Sequence, residues 1–305
     1  MTKYTILLYH GVLPDDFQTG LCNSSGKHIM REQFRKQMKW LSTNHPIISM
    51  SELRQAFLGN TKIPEDAVAI NFDDGFLNNY QVAWPVLEEF QVAATIYLAT
   101  GFIGTRQMIW SDRLEVALIN TAQPTITVEK DGEHTQWRLG SASDRLLALA
   151  GIKSACKTIS NEEKDKVVLS VEEQARLKPD DNDILYGFMN WDHIRQMDAS
   201  PLIEFGGHTV DHVSLGLVPI DEMQRQINLS LNTIAEELGK ECRQFSYPEG
   251  QARDFNQDVI GHLKRRNIII SPSAINGYNH FPNTDPFYLR RIMVGFENQP
   301  FPFHF

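Results

Sequence analysis

The chain has 305 residues, of which 42% are hydrophobic and 22% charged, and its formal net charge is -9. This composition allows a large buried core and excludes disordered and fibrous proteins. The acidic balance repels phosphate backbones, so we expect no nucleic-acid partner.

No stretch approaches the roughly 20 consecutive apolar residues that a bilayer span requires, so we expect no transmembrane segment. The apolar run near the start is shorter than the roughly 7–15 residues typical of a signal peptide. Cys22, Cys156 and Cys242 lie far apart without C-x-x-C spacing, which indicates reduced thiols rather than disulfides or a zinc knuckle. We therefore expect a cytoplasmic protein, and the sequence leaves its oligomeric state open.

Short apolar runs alternate with amphipathic stretches, a pattern typical of β-α units around a parallel sheet. The runs cover residues 4–9, 67–72, 93–98, 202–206, 244–247 and 267–271. The helix-like stretches cover residues 34–44, 50–58, 78–90, 191–197, 221–238 and 256–266, and the second opens with a Ser49-x-x-Glu52 capping box. Six such alternations predict an α/β barrel.

Residues 111–185 interrupt this rhythm with one strand-like run at 125–129 and a charged, helix-favouring stretch at 143–177. We predict one discontinuous barrel domain formed by residues 1–110 and 186–300, a mostly helical insertion at 111–185, and a tail at 301–305. The insertion is a lid, a dimer contact or a solvated cap without chemistry, and the sequence does not choose between them.

Two adjacent carboxylates close the second apolar run. Asp73 and Asp74 end this run directly, and Gly75 after them permits a tight turn. Parallel barrels place their active sites at the carboxyl ends of the strands. Two neighbouring acids there can divide the work, one binding a cation and the other acting as a base. An ordinary turn that caps a helix is the alternative.

Two histidines follow the fourth apolar run. His208 and His212 come after two glycines at i, i+4 spacing, which can present two imidazoles to one metal ion. One carboxylate and two imidazoles suit a catalytic divalent metal. We predict Asp74, His208 and His212 as ligands, with zinc as first choice and iron, cobalt or nickel also compatible. Asp73 would then take the proton from the attacking water.

These residues resemble the polysaccharide deacetylases of carbohydrate esterase family 4, which share the NodB homology domain. Residues 71–75 match the family motif T-F-D-D-G except at Asn71, and residues 208–212 match H-S/T-x-x-H. The resemblance covers residues 4–110 and 186–296. It implies a distorted, TIM-barrel-like (β/α) barrel of seven or eight strands that hydrolyses the N-acetyl group of an amino sugar. It also implies the same base, Asp73, and the same three metal ligands.

A third family motif, F-R-P-P-Y-G, is matched only in part by residues 245–250. Ser246 stands where the family has an arginine that orients the base, and Glu249 stands where it has an aromatic residue. Because the turn at Pro248 survives, we predict substrate contacts at Tyr247, Pro248 and Glu249, with the N–H of Glu249 donating to the oxyanion.

Two arginines near the end of the chain are candidates to replace the missing one in space. Arg290 and Arg291 lie side by side in the run 289–294. We assign Arg291 to the substrate-binding group. Surface or structural ion pairs that take no part in catalysis are the alternative for both.

The L-x-H motif that supplies the general acid in the family is absent near the C-terminal end. His10 instead ends the first apolar run, and residues 9–12 are similar to the Y-H-x-V segment of a circularly permuted branch that includes poly-N-acetylglucosamine deacetylases. The first and last strands of a closed barrel are neighbours, so His10 can occupy the same place in space. We predict His10 as general acid; a buried structural histidine is the alternative, and His193 and His280 are weaker candidates.

The resemblance implies a carbohydrate substrate that carries N-acetyl groups. Without a visible signal peptide, we expect a cytoplasmic precursor of a surface polysaccharide, bound in a cleft shaped by the insertion and by aromatic residues such as Trp110. Two other hypotheses stay open. One is a different amide hydrolase, such as a deformylase, on the same scaffold. The other is a catalytically silent glycan-binding protein, suggested by the departures at Ser246 and Glu249.

Overall fold

The structure is a computed structural model that describes residues 1–130, 132–176, 183–296, 298 and 300–304. Backbone contacts divide the chain into two compact units. The first consists of Met1–Phe17, Ser25–Arg106 and Asp183–Phe305, and the second of Gln18–Ser24 and Gln107–Asn182. The predicted subdivision at residues 110/111 and 185/186, and the role of the insertion, stay predictions.

The described part of the chain contains both strands and α-helices, numbered in chain order. The strands are β1 (Thr2–Tyr9), β2 (Gly11–Leu13), β3 (His28–Met30), β4 (Ala67–Phe72), β5 (Ala94–Leu98), β6 (Thr125–Lys130), β7 (Glu133–Arg138), β8 (Ile203–Gly207), β9 (Asn279–Phe281) and β10 (Ile292–Met293). The α-helices are α1 (Arg31–Asn44), α2 (Met50–Phe57), α3 (Trp84–Phe90), α4 (Trp110–Asn120), α5 (Ala142–Cys156), α6 (Asn161–Ala175), α7 (Asp183–Tyr186), α8 (Trp191–Asp198), α9 (Ile220–Leu238) and α10 (Gln257–Arg265).

A parallel sheet with the strand order β10-β1-β4-β5-β8 forms the centre of the first unit. All ladders along this path are parallel, and β9 adds an antiparallel pairing with the start of β1. Strands β4 and β5 are buried along their whole length. Such continuous apolar strands are expected where helices cover both faces of a parallel sheet.

Beyond β8 the sheet continues through single bridges. Gly207 bridges to Phe245, and Pro272 bridges to Leu289, both in parallel orientation. The hydroxyl of Ser271 donates to the carbonyl of Phe245 at 2.9 Å and so joins these two links. The chain then enters β10, which pairs with β1. The predicted fold class, a distorted (β/α) barrel, is confirmed.

Four of the six predicted strands lie within two residues of observed strands, namely those at 4–9, 67–72, 93–98 and 202–206. The predicted strands at 244–247 and 267–271 are wrong, since the structure shows only isolated bridges near them. Pro272 has no N–H to donate to a ladder, so regular pairing cannot run through it. The hydroxyls of Ser246 and Ser271 bond to neighbouring carbonyls instead.

The helices of the first unit follow the amphipathic stretches. The capping box predicted for α2 is confirmed, because Ser49 and Glu52 each accept a hydrogen bond from the backbone N–H of the other. The predicted helix at 78–90 is split into a π-helical turn, Asn79–Ala83, and α3. Pro85 lies in the first turn of α3, where its missing N–H costs no helical hydrogen bond.

In the second unit, β6 and β7 form an antiparallel hairpin that packs with α5 and α6. The helix-favouring stretch at 143–177 contains α5 and α6, and its last residue, Leu177, lies outside the described residues. Both helices begin with a serine capping box.

Among the helices that the structure describes, none is long and apolar enough to cross a membrane.

Candidate active site

The predicted site residues lie where parallel strands end. Asp73 and Asp74 follow β4, His208 and His212 follow β8, and His10 follows β1. The carboxyl ends of parallel strands meet at one edge of a sheet, which is where ligands bind in α/β folds. Residues that are far apart in sequence therefore become neighbours in the first unit.

Asp74, His208 and His212 direct one ligand atom each toward a common point. These atoms all lie within 4.8 Å of one another. Oδ1 of Asp74 is 3.2 Å from Nε2 of His212 and 3.7 Å from Nε2 of His208. Asp74 and His208 are only 4% and 1% exposed. The structure thus brings the three predicted ligands together in a buried cluster.

The hydrogen bonds around the cluster show that it fits a cation. Nδ1 of His208 donates to the carbonyl of Ser246 at 2.9 Å, so Nε2 presents a lone pair to the carboxylate. Oδ1 of Asp74 is buried and faces Nε2 of both His208 and His212. Buried lone pairs that face each other are unfavourable unless a cation lies between them. The donor set therefore suits a divalent metal.

The loops that carry the ligands adopt a strained backbone. Of the described residues other than glycine that have left-handed φ values, four lie in or beside these loops, with 77° at Asp74, 65° at Thr209, 52° at His212 and 59° at Glu249. Each such conformation costs on the order of 1–3 kcal/mol and persists only where the surrounding structure enforces it. Strain of this kind clusters at functional sites, and here it surrounds the proposed ligands.

The loop after β5 ties the two ligand-bearing loops together. The N–H of Ala99 donates to the carbonyl of Asp74 at 3.1 Å, and the N–H of Gly101 donates to the carbonyl of Val210 at 2.9 Å. A Cβ atom at Gly101 would lie 2.8 Å from the oxygen of Val210, so only glycine allows this approach. The backbone of this loop thus sets the spacing between the loops that carry the aspartates and the histidines.

Asp73 is held by a bidentate ion pair with Arg291. Nη1 donates to Oδ1 at 2.8 Å and Nη2 to Oδ2 at 2.7 Å, while Nε donates to the carbonyl of Ser273 at 2.6 Å. Arg291 is 1% exposed. Arg290 instead donates to the carbonyl of Asn276. Arg291 therefore orients Asp73, and its assignment to the substrate-binding group is corrected, because its side chain is almost fully buried.

The charges around the site keep both carboxylates ionised. Burial by itself raises the pKa of Asp73, but the charge of Arg291 and its hydrogen bonds outweigh it, and the pKa lies below its ordinary value. Burial acts in the same direction on Asp74, where the neighbouring His212 brings the pKa well below the usual range. At neutral pH one carboxylate is thus available as a base and the other as a ligand.

His10 lies at the end of β1 and is half-buried. Its Nδ1 is buried and has no hydrogen-bond partner among the described residues, and its ring meets that of Phe296 edge to face. Burial lowers the pKa of His10 to about 4, against the opposing effect of Asp74 and Asp73. Burial therefore favours the neutral form of the imidazole at pH 7.

The weaker histidine candidates lie on other elements. His193 belongs to α8, where its ring stacks on that of Tyr80 at 4.3 Å. His280 is exposed on β9, the antiparallel strand that pairs with the start of β1. The carboxyl end of β1, which carries His10, lies away from that start.

Tyr247 does not present its side chain to the site. It is 1% exposed, its ring stacks on Phe255 at 4.0 Å, and its hydroxyl donates to the carbonyl of Phe287 at 3.2 Å. Contrary to the predicted substrate contact, this side chain is buried, because Phe255 covers its ring and the carbonyl of Phe287 accepts from its hydroxyl.

Residues 248–250 form a tight turn after Tyr247. The N–H of Gly250 donates to the carbonyl of Pro248 at 2.6 Å, with Glu249 between them in the left-handed region. The predicted donation from the N–H of Glu249 to an oxyanion stays a prediction.

A family model described as polysaccharide deacetylase matches residues 60–268, which is more than half of the chain. The matched region contains both aspartates and both histidines of the buried cluster. The chain belongs to the polysaccharide deacetylase family. His10 and Arg291 lie outside the matched region, and a circularly permuted origin of His10 stays a prediction.

Curated relatives match part of the chain. YxkH of Bacillus subtilis (strain 168) is 30% identical over 130 residues, which cover 42% of this chain and 41% of YxkH. A poly-β-1,6-N-acetyl-D-glucosamine N-deacetylase of Staphylococcus aureus (strain MSSA476) is 31% identical over 106 residues, which cover 32% of this chain and 36% of that protein. The chain thus spans less than half the length of these relatives.

Solved structures match nearly the whole chain at low identity. The Streptococcus pyogenes deacetylase PplD, in complex with acetate, has a TM-score of 0.62 at 15% identity and covers 97% of this chain and 94% of its own. IcaB from Ammonifex degensii has a TM-score of 0.61 at 17% identity, with 96% and 92% covered. At these identities the likeness shows a shared fold.

In the family pattern, the arginine that orients the base belongs to the third motif, where this chain has Ser246. Here the guanidinium comes from Arg291, which lies just before β10 and 218 positions after Asp73 in the sequence. Ser246 contributes its carbonyl, which orients His208. The bidentate geometry with Asp73 is the one that arginine forms with carboxylates and lysine cannot.

Gln226 on α9 holds the loop between the two histidines, and no motif pointed to it. Its Oε1 accepts from the N–H groups of Val210 and Asp211 at 2.9 Å each, and its Nε2 donates to Oδ2 of Asp211 at 2.5 Å. Gln226 is fully buried. The sequence offered one signal for this role: Gln226 is a polar residue at a position of the amphipathic helix α9 where an apolar residue is expected.

Proposed function

We propose that this chain is a hydrolase that removes the N-acetyl group from an amino sugar in a polysaccharide or its precursor. The proposal is carried by the buried cluster of Asp74, His208 and His212 together with the separately oriented Asp73, in a member of the polysaccharide deacetylase family. Relatives named as poly-β-1,6-N-acetyl-D-glucosamine N-deacetylases support N-acetylglucosamine polymers as the substrate class.

Asp74, His208 and His212 would hold one divalent metal ion. Zinc is our first choice, because two imidazoles and one carboxylate are ligands that it favours in catalytic sites, and iron, cobalt or nickel accept the same set. When bound, the ion polarises the amide carbonyl and makes a nearby water more acidic. The hydrogen bond from Nδ1 of His208 to Ser246 prepares Nε2 for this role.

Asp73 acts as general base. Arg291 holds both carboxylate oxygens in a fixed plane and keeps the group ionised, while Oδ2 lies 3.9 Å from Nε2 of His208, next to the ligand cluster. Each oxygen keeps a second lone pair after bonding to Arg291, so Asp73 can still accept a proton from the attacking water.

His10 acts as general acid toward the leaving amine. The proton that it delivers is one that Asp73 takes from the attacking water. In the balanced reaction, a C–O bond forms between the water oxygen and the acetyl carbon, and the amide C–N bond breaks. One water proton passes by way of Asp73 and His10 to the amine nitrogen, and the other leaves with the acetic acid, so the products are acetate and a free amino sugar.

The first test measures metal content and acetate release together. We would compare wild type, Asp73→Asn and Asp192→Asn on N-acetylated monosaccharides, β-1,6-linked oligosaccharides and nucleotide sugars. Asp192 is exposed on α8 and pairs with Arg195, so its variant is a matched control. We expect equal metal in all three, acetate from wild type and the control, and at least a roughly 100-fold lower rate for Asp73→Asn.

Other outcomes separate the competing hypotheses. Hydrolysis of a different amide without acetate from any sugar would favour another amide hydrolase on this scaffold. Glycan binding without turnover, unchanged in Asp73→Asn, would indicate a silent binding protein and overturn the proposal.

A further inference from the structure

An exposed aromatic ring lies beside the proposed general acid, and the chemistry described above does not use it. The ring centroid of Phe296 is 5.0 Å from that of His10, with the two planes at 81°. Phe296 is 38% exposed, whereas Phe72 and Phe76, which also lie near the site, are fully buried. An edge-to-face pair covers at most one face of a ring, so part of the Phe296 ring is available to a ligand.

The backbone at Phe296 adopts a conformation that bulky residues disfavour. Phe296 has a φ of 50°, a conformation that bulky residues rarely adopt, and its N–H donates to the carbonyl of Gly26 at 2.9 Å. Gly295 precedes it with a φ of 108°, and a Cβ there would lie 2.7 Å from the oxygen of Gly26. The turn at residues 295–296 thus packs closely against the backbone at Gly26. This contact keeps Phe296 in a strained backbone conformation, with its exposed ring beside His10.

The reaction itself determines what must lie next to this ring. The general acid has to come within about 3 Å of the leaving nitrogen. In an N-acetylated amino sugar that nitrogen is bonded directly to a ring carbon, so the pyranose ring must lie beside His10. A pyranose presents an apolar face of C–H groups between its hydroxyls, and an aromatic ring is the side chain that covers such a face best.

We propose that Phe296 is a substrate-binding residue whose exposed surface packs on the pyranose ring that carries the acetamido group. This inference rests on the proposed function and deepens it, because it makes a cyclic sugar, rather than any acetamide, the substrate class of the site. An acyclic acetamide has no ring face to cover and gains nothing from Phe296.

The test is steady-state kinetics on a β-1,6-linked N-acetylglucosamine oligosaccharide and on an acyclic N-acetylated amine. The variants are Phe296→Leu, which keeps an apolar side chain without the flat face, and Phe296→Tyr, which keeps the face. Tyr278→Leu is the matched control, since Tyr278 is an aromatic residue of nearly equal exposure, 39%, outside the site.

For Phe296→Leu on the oligosaccharide, we expect KM to rise about tenfold, as for the loss of one apolar contact, and kcat to stay within about threefold. Phe296→Tyr restores KM, Tyr278→Leu leaves both constants unchanged, and no variant alters kcat/KM for the acyclic amine.

Two results would overturn the role of Phe296. One is an unchanged KM in Phe296→Leu. The other is a fall in kcat with an altered pH profile on both substrates, which would show that Phe296 only positions His10. A wild type that releases no acetate from any sugar is a different failure, since it refutes the proposed function itself and the inference with it.

Discussion

Asp73 and Arg291 are both almost inaccessible to solvent, at 4% and 1% exposure, and each satisfies the charge of the other. Removing one partner of a buried ion pair costs about 3–5 kcal/mol, because the remaining charge is left without compensation. The pair therefore does more than align the proposed general base. By lowering the pKa of Asp73, Arg291 also sets the pH range over which that carboxylate is ionised.

We predict that Arg291→Gln moves the acidic limb of the kcat/KM profile to higher pH. Arg291 lowers the pKa of Asp73 against the effect of burial, so without it the carboxylate is less stable, its pKa rises, and the base is lost at a higher pH. Arg291→Lys keeps a charge without the bidentate geometry and should show a smaller shift. Acetate release between about pH 4 and 8 measures this.

Arg290→Gln is the control for this prediction, because Arg290 is the exposed neighbour that bonds to Asn276. Its profile should coincide with that of wild type. An acidic limb that stays in place in Arg291→Gln would show that Asp73 does not depend on Arg291 for its ionisation.

At the scale of elements, the site depends on how helices and loops hold one another. In the loop at 208–212, Thr209 and His212 have left-handed backbone conformations, which the isolated loop would not adopt. Gln226 of α9 satisfies two of its N–H groups, and the loop after β5 bonds to its other side. The orientation of His212 thus depends on α9, although α9 supplies no ligand.

We predict that Gln226→Leu weakens metal binding about 10- to 100-fold, the usual effect of losing a group that orients a ligand. Leucine fills a similar volume but leaves the N–H groups of Val210 and Asp211 without an acceptor. The metal dissociation constant can be measured by competition with a chromophoric chelator. Gln224→Leu, two residues earlier on α9 and only half-buried, is the matched control. Equal affinity in both variants would contradict this role.

On the scale of the whole molecule, the ligand cluster connects strands that are distant in sequence. Asp74 follows β4 and the histidines follow β8, so a bound ion cross-links two loops of the barrel. A ligand that binds only the folded protein stabilises it according to its concentration relative to Kd. The expected cytoplasmic location, and a cytoplasmic precursor of a surface polysaccharide as the substrate, stay predictions.

We predict that Zn²⁺ at 100 times its Kd stabilises the protein by about 2.7 kcal/mol and raises Tm by several degrees. A chelator reverses the increase. His212→Gln removes a ligand and should lose most of the shift, whereas His280→Gln, an exposed histidine on β9, should keep it. Thermal unfolding of the three proteins with and without zinc tests this, and an equal shift in His212→Gln would argue against the ligand assignment.

The sequence by itself determined those features whose information is local. Apolar runs followed by amphipathic stretches predicted the strands β1, β4, β5 and β8 and the fold class. Asp73, Asp74, His208 and His212 could be found because each pair lies within a few residues at the end of a strand. Since parallel strands end at one edge, this placement was enough to predict that the two pairs meet.

Only the tertiary structure decided contacts between distant segments. Asp73 and Arg291 are 218 positions apart, and the choice of Arg291 over its neighbour Arg290 depends on the register of β10 against β1. The burial of Tyr247 depends in the same way on Phe287, 40 positions away, whose carbonyl accepts from its hydroxyl. Side chains alternate between the two sides of an extended segment, so only one of two adjacent arginines at the start of β10 can face Asp73. No local pattern in the sequence encodes that register.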